Sequence, residues 1–333
     1  MARAWFIVAL WLSGAAQAQP LERFAFKRPQ LGTDIQIILY APNAVQANRA
    51  ASAAFARIDT LEARLSDWRS DSELSQLPTG SATRVSQELW DVLEAAQHIA
   101  EASNGAFDVT IGPLSRLWRW SMRRGFFPDQ EKLISTRSKV GYRYLVLNPA
   151  HQTVRLTKPG MSLDLGGIGK GYAADIALGL LETLGYPYAL VDAGGDMAIG
   201  AAPPGTVGWG ISVESVGPGG LRTKEEVFLA DCGIASSGAT YRYLEHEGVR
   251  YSHIVDPGTG IGVTHERIVT VIAPTGMLAD AWASAYSVME FQQALSHAEA
   301  KDLLALRIVQ REEEGYVMQE AGGQSFARRY PLY

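Results

Sequence analysis

Residues 163–172 of the chain read Leu163-Asp164-Leu165-Gly166-Gly167-Ile168-Gly169-Lys170-Gly171-Tyr172. An apolar segment with one acidic residue is followed by four glycines and a lysine, and then by the apolar periodicity of a helix. Glycines permit left-handed backbone angles and the close approach of a ligand. The following helix begins with unpaired N–H groups and the positive end of its dipole. The stretch therefore predicts a strand, a turn and a helix whose N-terminus binds phosphate, with Lys170 as an added positive charge.

Two common nucleotide-binding motifs do not fit this stretch. A P-loop requires a serine or threonine directly after its lysine, and here Gly171 follows Lys170. The glycine spacing also differs from Gly-x-Gly-x-x-Gly, and the chain lacks the run of βαβ units of a dinucleotide-binding fold. Glycine-rich turns are also found where helices pack closely, and these residues alone leave that alternative open.

The first 18 residues have the pattern of a secretory signal peptide. Arg3 gives a charged start, residues 4–12 are apolar, and Ala16-Gln17-Ala18 matches a cleavage site. This apolar run is too short to span a bilayer, and no later run is long enough. We therefore expect export and release of a soluble mature protein, residues 19–333. A lipid anchor is not expected, because the only cysteine, Cys232, lies far from the cleavage site.

The composition is that of a globular protein that does not bind nucleic acid. The 333 residues carry a net charge of −5, with 47% hydrophobic and 20% charged residues. Strands and helices are predicted in an irregular order, without strict βαβ alternation. This order favours the α+β class, with one domain of mixed sheets and helices, and an arrangement in two lobes as the alternative.

Apolar periodicity predicts the main elements. Helices are expected over 45–65, after the capping residue Ser86, over 114–127 and, as the last one, over 277–290. The tryptophans of the 114–127 helix are expected to pack inward, with a docking face for an acidic partner as the alternative use of its arginines. Strands are predicted at 34–40, 107–111, 188–192, 209–213, 227–230 and 267–272, with hairpins around 144–156 and at the 312–315 turn.

Asp280 and Ser284 are four residues apart in the last predicted helix, so their oxygens project from one face. Mg²⁺ in proteins is bound by one or two carboxylates together with other oxygen ligands, including substrate phosphates. Asp164, alone in an apolar segment, needs a partner or an ion. We therefore predict a Mg²⁺ site with Asp280, Ser284, Asp164 as the second acid, and the carbonyl of Gly167. The alternative for Asp280 is stabilisation of the first turn of its own helix.

His253 is the histidine best placed for catalysis. It lies in a short predicted strand that leads into the turn Asp256-Pro257-Gly258. An imidazole titrates near neutrality, which suits a general base.

A series of short blocks in a fixed order closely resembles the ApbE family, the FAD:protein FMN transferases. The resemblance extends from about Arg23 to the C-terminus. The blocks are Leu31-Gly32-Thr33, Ser72-Glu73-Leu74-Ser75, Gly105-Ala106-Phe107-Asp108-Val109-Thr110, the stretch 164–171, Gly194-Gly195-Asp196, Ser236-Ser237-Gly238, the stretch 253–260, and Ala279-Asp280-Ala281 with Ser284.

The resemblance implies a periplasmic or membrane-associated enzyme that uses FAD as a substrate and Mg²⁺ as a cofactor. It implies transfer of FMN to a serine or threonine of an acceptor protein, a respiratory or membrane redox protein, with release of AMP. If the domain has two lobes, the FAD site is expected between them. The residues that match the family's FAD contacts are Leu31, Trp68, Ala106, Phe107, Asp108, Asp164, Lys170 and Ile254. The family's metal ligands match Gly167, Asp280 and Ser284, and His253 matches its proposed base.

Three positions depart from the usual family pattern. Leu31 replaces a methionine, which keeps an apolar flavin contact without the sulfur, and Trp68 replaces a tyrosine with a larger stacking surface. Ser284 stands where threonine or alanine is common, so it is expected to act through either its side chain or its backbone. Two other functions remain open: an FAD pyrophosphatase that releases free FMN and AMP, and a non-catalytic periplasmic flavin-binding protein.

Overall fold

The structure is a computed structural model that describes residues 20–238, 242–301 and 304–322. The predicted signal peptide, residues 1–18, lies outside the described residues. Within the described ranges, none of the helices combines the length and the apolar character needed to cross a membrane.

Seven α-helices are present in the described part of the chain. They are α1 (Ala44–Leu65), α2 (Gln87–Ala102), α3 (Gly112–Arg124), α4 (Gln130–Arg137), α5 (Gly169–Thr183), α6 (Gly276–Val288) and α7 (Phe291–Glu299). The start of α2 is as predicted, because the side chain of Ser86 accepts a hydrogen bond from the backbone N–H of Leu89. The 277–290 helix is not the last one, since α7 follows α6 directly.

Fifteen strands are assigned in the same residues. They are β1 (Glu22–Gln30), β2 (Thr33–Ala41), β3 (Thr83–Arg84), β4 (Leu145–Asn148), β5 (Thr153–Leu156), β6 (Ala189–Ala193), β7 (Met197–Ile199), β8 (Trp209–Gly217), β9 (Leu221–Leu229), β10 (Cys232–Gly238), β11 (Tyr243–His246), β12 (Val249–Ser252), β13 (Arg267–Ala273), β14 (Ala305–Glu312) and β15 (Gly315–Gly322).

Eight of these strands form the central sheet, in the order β1-β2-β6-β7-β10-β13-β14-β15. Every neighbouring pair in it is antiparallel. Helices together with an antiparallel sheet confirm the predicted α+β class and a single domain. Smaller sheets are formed by β3-β5-β4, by β8-β9 and by β11-β12.

The two faces of the central sheet carry different layers. Alternation along β2 directs Ile37 and Leu39 toward α1 and α5, whereas Ile38 packs against the β8-β9 hairpin on the opposite face. Helices α2, α6 and α7 pack on β13 and β14 through a third cluster that includes Val271 and Tyr286. The helices α5 and α6 therefore lie side by side on one face, which brings their N-termini together.

Three predicted local structures differ from the observed ones. Residues 107–111 are a turn rather than a strand, and only Ile111 forms an isolated bridge, with Ser162. In α3, Trp118 is buried as expected, but Trp120 is half exposed. The segment before the glycines, predicted as a strand, is not a regular one: it forms the bridge at Ser162 and a hydrogen bond from the N–H of Asp164 to the carbonyl oxygen of Val109.

Candidate active site

The glycine turn and the predicted metal-binding helix meet at the N-terminus of α5. The residue before α5, Ile168, gives it no side-chain cap. Instead, Oδ2 of Asp280 on α6 accepts a hydrogen bond from the backbone N–H of Gly171 at 3.1 Å. Asp280 lies in the second turn of α6, so the expectation that it stabilises the first turn of its own helix is wrong. Its carboxylate stabilises the start of α5 instead.

Gly167 lies directly against Ser284. A methyl group added at Gly167 would lie 2.6 Å from Oγ of Ser284 and 3.4 Å from the ring of Phe107. The three residues that match the family's metal ligands, Gly167, Asp280 and Ser284, therefore lie where the glycine turn meets α6. In the described residues, no group of three or more His, Cys, Asp or Glu side chains is arranged to hold a metal. A metal bound here would therefore have no more than two such side chains as ligands, with Asp280 as the carboxylate at this junction and hydroxyl, carbonyl and substrate oxygens as the other donors.

Burial raises the pKa of Asp280, which is almost inaccessible to solvent. The ammonium of Lys170 and the backbone N–H groups of Gly171 and Lys170 oppose this rise and favour the charged form. A cation bound at this carboxylate would offset the remaining cost of burying its charge. The donors present thus fit a hard divalent cation such as Mg²⁺.

Lys170 is in the first turn of α5, where its ammonium forms an ion pair with the buried carboxylate of Asp196. This carboxylate belongs to the Gly194-Gly195-Asp196 block between β6 and β7. The pairing holds the lysine charge at the glycine turn, close enough to influence both Asp280 and His253.

His253 follows β12, and its Nδ1 lies 3.3 Å from the carbonyl oxygen of Arg242. A carbonyl oxygen only accepts hydrogen bonds, so this contact places the proton on Nδ1 and leaves Nε2 as the basic nitrogen. Partial burial of the imidazole, which keeps an exposed surface, lowers the pKa of His253, and the positive charges of Arg242 and Lys170 add to this effect. The ring is therefore neutral at pH 7 and able to accept a proton.

Asp164 has a partner that the sequence did not reveal. Its Oδ2 accepts a hydrogen bond from Nη2 of Arg119 at 2.5 Å, and its Oδ1 accepts one from the N–H of Gly166 at 2.8 Å. Nη1 of the same guanidinium donates to Oδ2 of Asp67 at 2.7 Å. The guanidinium carbon also lies 4.3 Å from the ring centroid of Trp68. An arginine, rather than an ion, thus offsets the burial of Asp164.

The Asp108 carboxylate organises the turn that carries Ala106 and Phe107. Its Oδ1 accepts hydrogen bonds from the backbone N–H and the hydroxyl of Thr110, and its Oδ2 accepts one from the N–H of Tyr142. These bonds explain why residues 107–111 form a turn despite their alternating pattern. The turn brings Phe107 to Gly167, at the glycine turn.

Leu31 and Ile254 complete the set of predicted flavin contacts. Leu31 is in the tight turn between β1 and β2 and has a left-handed backbone, with φ of 53°. That turn adjoins the Gly194 block, because a side chain at Gly194 would collide with Thr33. Ile254 directly follows His253, and its N–H is bonded to Oγ of Ser252 at 3.1 Å. Contact of these residues with FAD stays a prediction.

Three further residues shape the site without having been predicted from the sequence. Arg119 and Asp196 are the partners of Asp164 and Lys170. Asp175 on α5 accepts hydrogen bonds from the backbone N–H groups of Gly276 and Met277, at 2.7 and 2.8 Å. Asp196 belongs to one of the family blocks, but the block does not indicate its pairing with Lys170. The contacts of Asp196, Arg119 and Asp175 are made with residues distant in the sequence, and only the three-dimensional structure reveals them.

Comparisons with a family model, with related sequences and with solved structures all point to the same protein family. A family model described as the ApbE family matches residues 31–307. The chain is 33% identical over 282 residues to the FAD:protein FMN transferase of Treponema pallidum, covering 79% of this chain and 78% of that protein. It is 28% identical over 319 residues to the protein of the same name from Vibrio cholerae, covering 93% and 95%.

Solved structures show the same similarity. The flavin transferase ApbE from Vibrio cholerae superimposes with a TM-score of 0.82 at 27% identity, over 93% of this chain and 99% of that one. The apo form of the flavinyl transferase ApbE from Pseudomonas stutzeri gives a TM-score of 0.81 at 27% identity, over 94% and 98% of the two chains.

Proposed function

The chain belongs to the ApbE family, and from this membership we propose that it is a Mg²⁺-dependent FAD:protein FMN transferase. In this proposal it attaches FMN through a phosphoester to a serine or threonine of an acceptor flavoprotein and releases AMP. The prediction that the protein is a transferase enzyme is confirmed by its relatives. The acceptor, the metal and the roles of individual residues belong to the proposal.

The junction of the glycine turn with α6 is the observation that carries this proposal. The N–H of Gly171 donates to Asp280, and Gly167 contacts Ser284 so closely that no side chain fits between them. A glycine-rich backbone, a helix N-terminus and a buried carboxylate are thus combined at one place. Such a combination suits a pyrophosphate accompanied by a divalent cation.

Asp280, the hydroxyl or backbone of Ser284 and the carbonyl of Gly167 are the residues that would hold Mg²⁺. When bound, Mg²⁺ supplies Lewis-acid stabilisation of the negative charge on the pyrophosphate oxygens. The chain itself would contribute the ammonium of Lys170, which Asp196 holds at the glycine turn. The backbone N–H of Gly171 at the start of α5 donates to Asp280 and so supports the carboxylate that would hold the metal.

His253 is the proton acceptor in this proposal. The acceptor hydroxyl attacks the FMN phosphorus, the bond between that phosphorus and the oxygen of the AMP phosphate breaks, and the hydroxyl proton moves to Nε2 of His253. The hydrogen bond from Nδ1 to the carbonyl of Arg242 keeps the ring in the tautomer that this transfer needs. The lowered pKa keeps it unprotonated at neutral pH.

We further propose that the enzyme works in the periplasm after export. The pattern of residues 1–18 supports this location. The acceptor would be a respiratory or membrane redox protein that presents a motif of the type Asp-Gly-x-Ser/Thr-Gly-Ala-Thr, as the family resemblance implies.

The decisive experiment is incubation of the protein with FAD, Mg²⁺ and an acceptor domain that carries this motif, followed by intact mass measurement. A mass gain of one FMN phosphoester on the acceptor, with one AMP released for each, is the expected result. Chelation of the metal with EDTA should prevent it. Free FMN with an unmodified acceptor would indicate a pyrophosphatase, and unchanged FAD would indicate a flavin-binding protein without turnover.

A further inference from the structure

Helix α3 is tied to three separate segments of the candidate site. Its Arg116 donates to Oγ of Ser162, just before Asp164, at 2.5 Å. Trp118 donates from Nε1 to the carbonyl oxygen of Gly260, in the turn after His253, at 2.9 Å. Arg119 binds both Asp164 and Asp67. One short helix therefore connects the glycine turn, the histidine turn and the loop that carries Trp68.

Of these three side chains of α3, Arg119 is the one that contacts two predicted flavin-binding residues, Trp68 and Asp164. Its two terminal nitrogens donate to two different carboxylates, while its planar face lies on the indole of Trp68. Trp68 is 73% exposed, so the ring has one face against the guanidinium and a large surface open to solvent. Stacking on a guanidinium orients an otherwise exposed indole without hiding it from a ligand.

The two carboxylates that share Arg119 would repel each other without it. Asp67 and Asp164 are both largely buried; burial, together with the charge of Asp164, raises the pKa of Asp67, and Arg119 opposes this rise. The single guanidinium compensates this pair. A neutral side chain at position 119 would leave two neighbouring buried anions, which favours separation of the 66–68 loop from the glycine turn.

We propose that Arg119 is a positioning residue, which holds Trp68 and Asp164 in the arrangement that receives FAD. This inference rests on the proposed function, in which those two residues contact the flavin nucleotide. Arg119 acts on binding rather than on group transfer, because its contacts lie on Asp67, Trp68 and Asp164 and not on His253 or Asp280.

A ligand-free measurement tests the first half of the proposal. In Arg119→Met, we expect acrylamide to quench the Trp68 part of the fluorescence more strongly than in the wild-type protein. That part is obtained by subtracting the signal of the same protein with Trp68→Phe. Arg123→Met is the matched control, because Arg123 is exposed on the same helix one turn further and donates to the backbone of Arg119. Equal quenching in Arg119→Met and the wild type would overturn the proposal.

FAD binding and turnover test the second half. Arg119→Met should raise the Kd and KM for FAD about tenfold to a hundredfold, the loss expected when hydrogen bonds to charged groups are removed. At saturating FAD, kcat should change less than about threefold, since the lost contacts are equally present in ground and transition states. Arg119→Lys keeps the positive charge but cannot donate to both carboxylates with the fixed geometry of a guanidinium, so it should give an intermediate Kd.

A double-mutant cycle decides whether Arg119 acts through Trp68. The combined loss of affinity in Arg119→Met with Trp68→Ala should be smaller than the product of the two single losses. Losses that multiply fully would overturn the proposal. If Arg119→Met does not fold, FAD affinity is measured instead in Arg119→Lys and in Asp67→Asn. Wild-type affinity in both of these variants would also overturn the proposal. A wild-type protein that binds no FAD would instead refute the proposed function, and this inference with it.

Discussion

Asp175 and Asp280 each cap the helix that carries the other. Asp175 on α5 accepts hydrogen bonds from the first two N–H groups of α6, and Asp280 on α6 accepts one from the N–H of Gly171 in α5. Neither Gly171 nor Gly276 has room for a Cβ atom without a shift of the opposite helix, because their backbones are in direct contact. The two helix starts are therefore locked together at the place where the metal ligands are predicted.

Replacement of Asp280 by asparagine should abolish metal-dependent transfer while the fold is kept. Asparagine retains a carbonyl acceptor for the N–H of Gly171 but lacks the charge that binds a dication. We expect AMP release to fall by at least about a hundredfold at every Mg²⁺ concentration, as a loss of several kcal/mol of charge stabilisation requires. The control is Asp175→Asn, which alters the other member of the pair and should remain Mg²⁺-dependent. Wild-type Mg²⁺ dependence in Asp280→Asn would show that the metal assignment is wrong.

Replacement of His253 by glutamine should slow the chemical step and leave FAD binding almost unchanged. Loss of a general base typically costs about 10²- to 10⁴-fold in kcat. In the wild type, kcat should fall as the pH is lowered through the pKa of His253. Partial burial of the ring and the nearby positive charges lower that pKa, so the midpoint should lie below the usual value of 6.5. An acid limb that persists in His253→Gln would assign the titration to another group.

Leu31→Asn should weaken FAD binding without lowering the stability of the fold. Leu31, with φ of 53°, precedes Gly32 in a two-residue hairpin turn, where asparagine is strongly preferred. Relief of the left-handed strain is worth about 1 kcal/mol, although part of the gain is offset because Leu31 also packs on two core clusters. We expect little change in the midpoint of thermal unfolding but a higher Kd for FAD.

The chain offers a matched control in the β11-β12 turn. Glu247 has φ of 50° and precedes Gly248, as Leu31 precedes Gly32. Glu247→Asn should raise the free energy of unfolding by about 0.5–1 kcal/mol and leave FAD affinity as it is. If both variants bind FAD with the wild-type Kd, Leu31 makes no useful flavin contact.

Asp175 should give the stability of the protein a distinctive pH dependence. Burial raises the pKa of Asp175 from 3.8 to about 6, although the hydrogen bonds that it accepts from the N–H groups of Met277 and Gly276 act in the opposite direction. Between these values Asp175 in the folded protein holds a proton that it has lost in the unfolded chain, so its contribution to the free energy of unfolding falls as the pH rises from about 4 to about 6. The fall is on the order of 3 kcal/mol and does not continue above that window.

Urea denaturation of the wild type and Asp175→Asn across this window provides the measurement. The difference in unfolding free energy between the two proteins should shift in favour of the variant as the pH rises. Parallel profiles would mean that Asp175 titrates at its usual pKa in the folded protein.

Much of the fold followed from local patterns. The apolar spacing of α1, the serine cap of α2 and the hairpin turns depend on neighbours within a few residues, and each is observed. The 107–111 segment shows where this reasoning fails. Its alternation of apolar and polar residues is typical of a strand, but the side chain of Asp108 bonds to the backbone of Thr110 and Tyr142 and imposes a turn.

The family blocks identified the residues of the site but not their partners. Asp164 was expected to need a partner or an ion, and the structure gives it a partner, Arg119, 45 residues earlier in the chain. Lys170 was expected to be a phosphate ligand, and it also has a carboxylate partner in Asp196. Such pairings depend on how distant elements meet, which no local pattern encodes. The resemblance to the ApbE family is confirmed, whereas the flavin and metal contacts stay predictions.

The order of the strands in the central sheet rises continuously from β1 at one edge to β15 at the other. Each strand of this sheet is therefore added beside the one that precedes it in the chain, and none has to be inserted between two strands that are already paired. A polypeptide that emerges N-terminus first, from a ribosome or from an export channel, can thus extend the sheet at its growing edge. The arrangement is compatible with vectorial folding, in which α6 and its aspartate arrive after the glycine turn has formed.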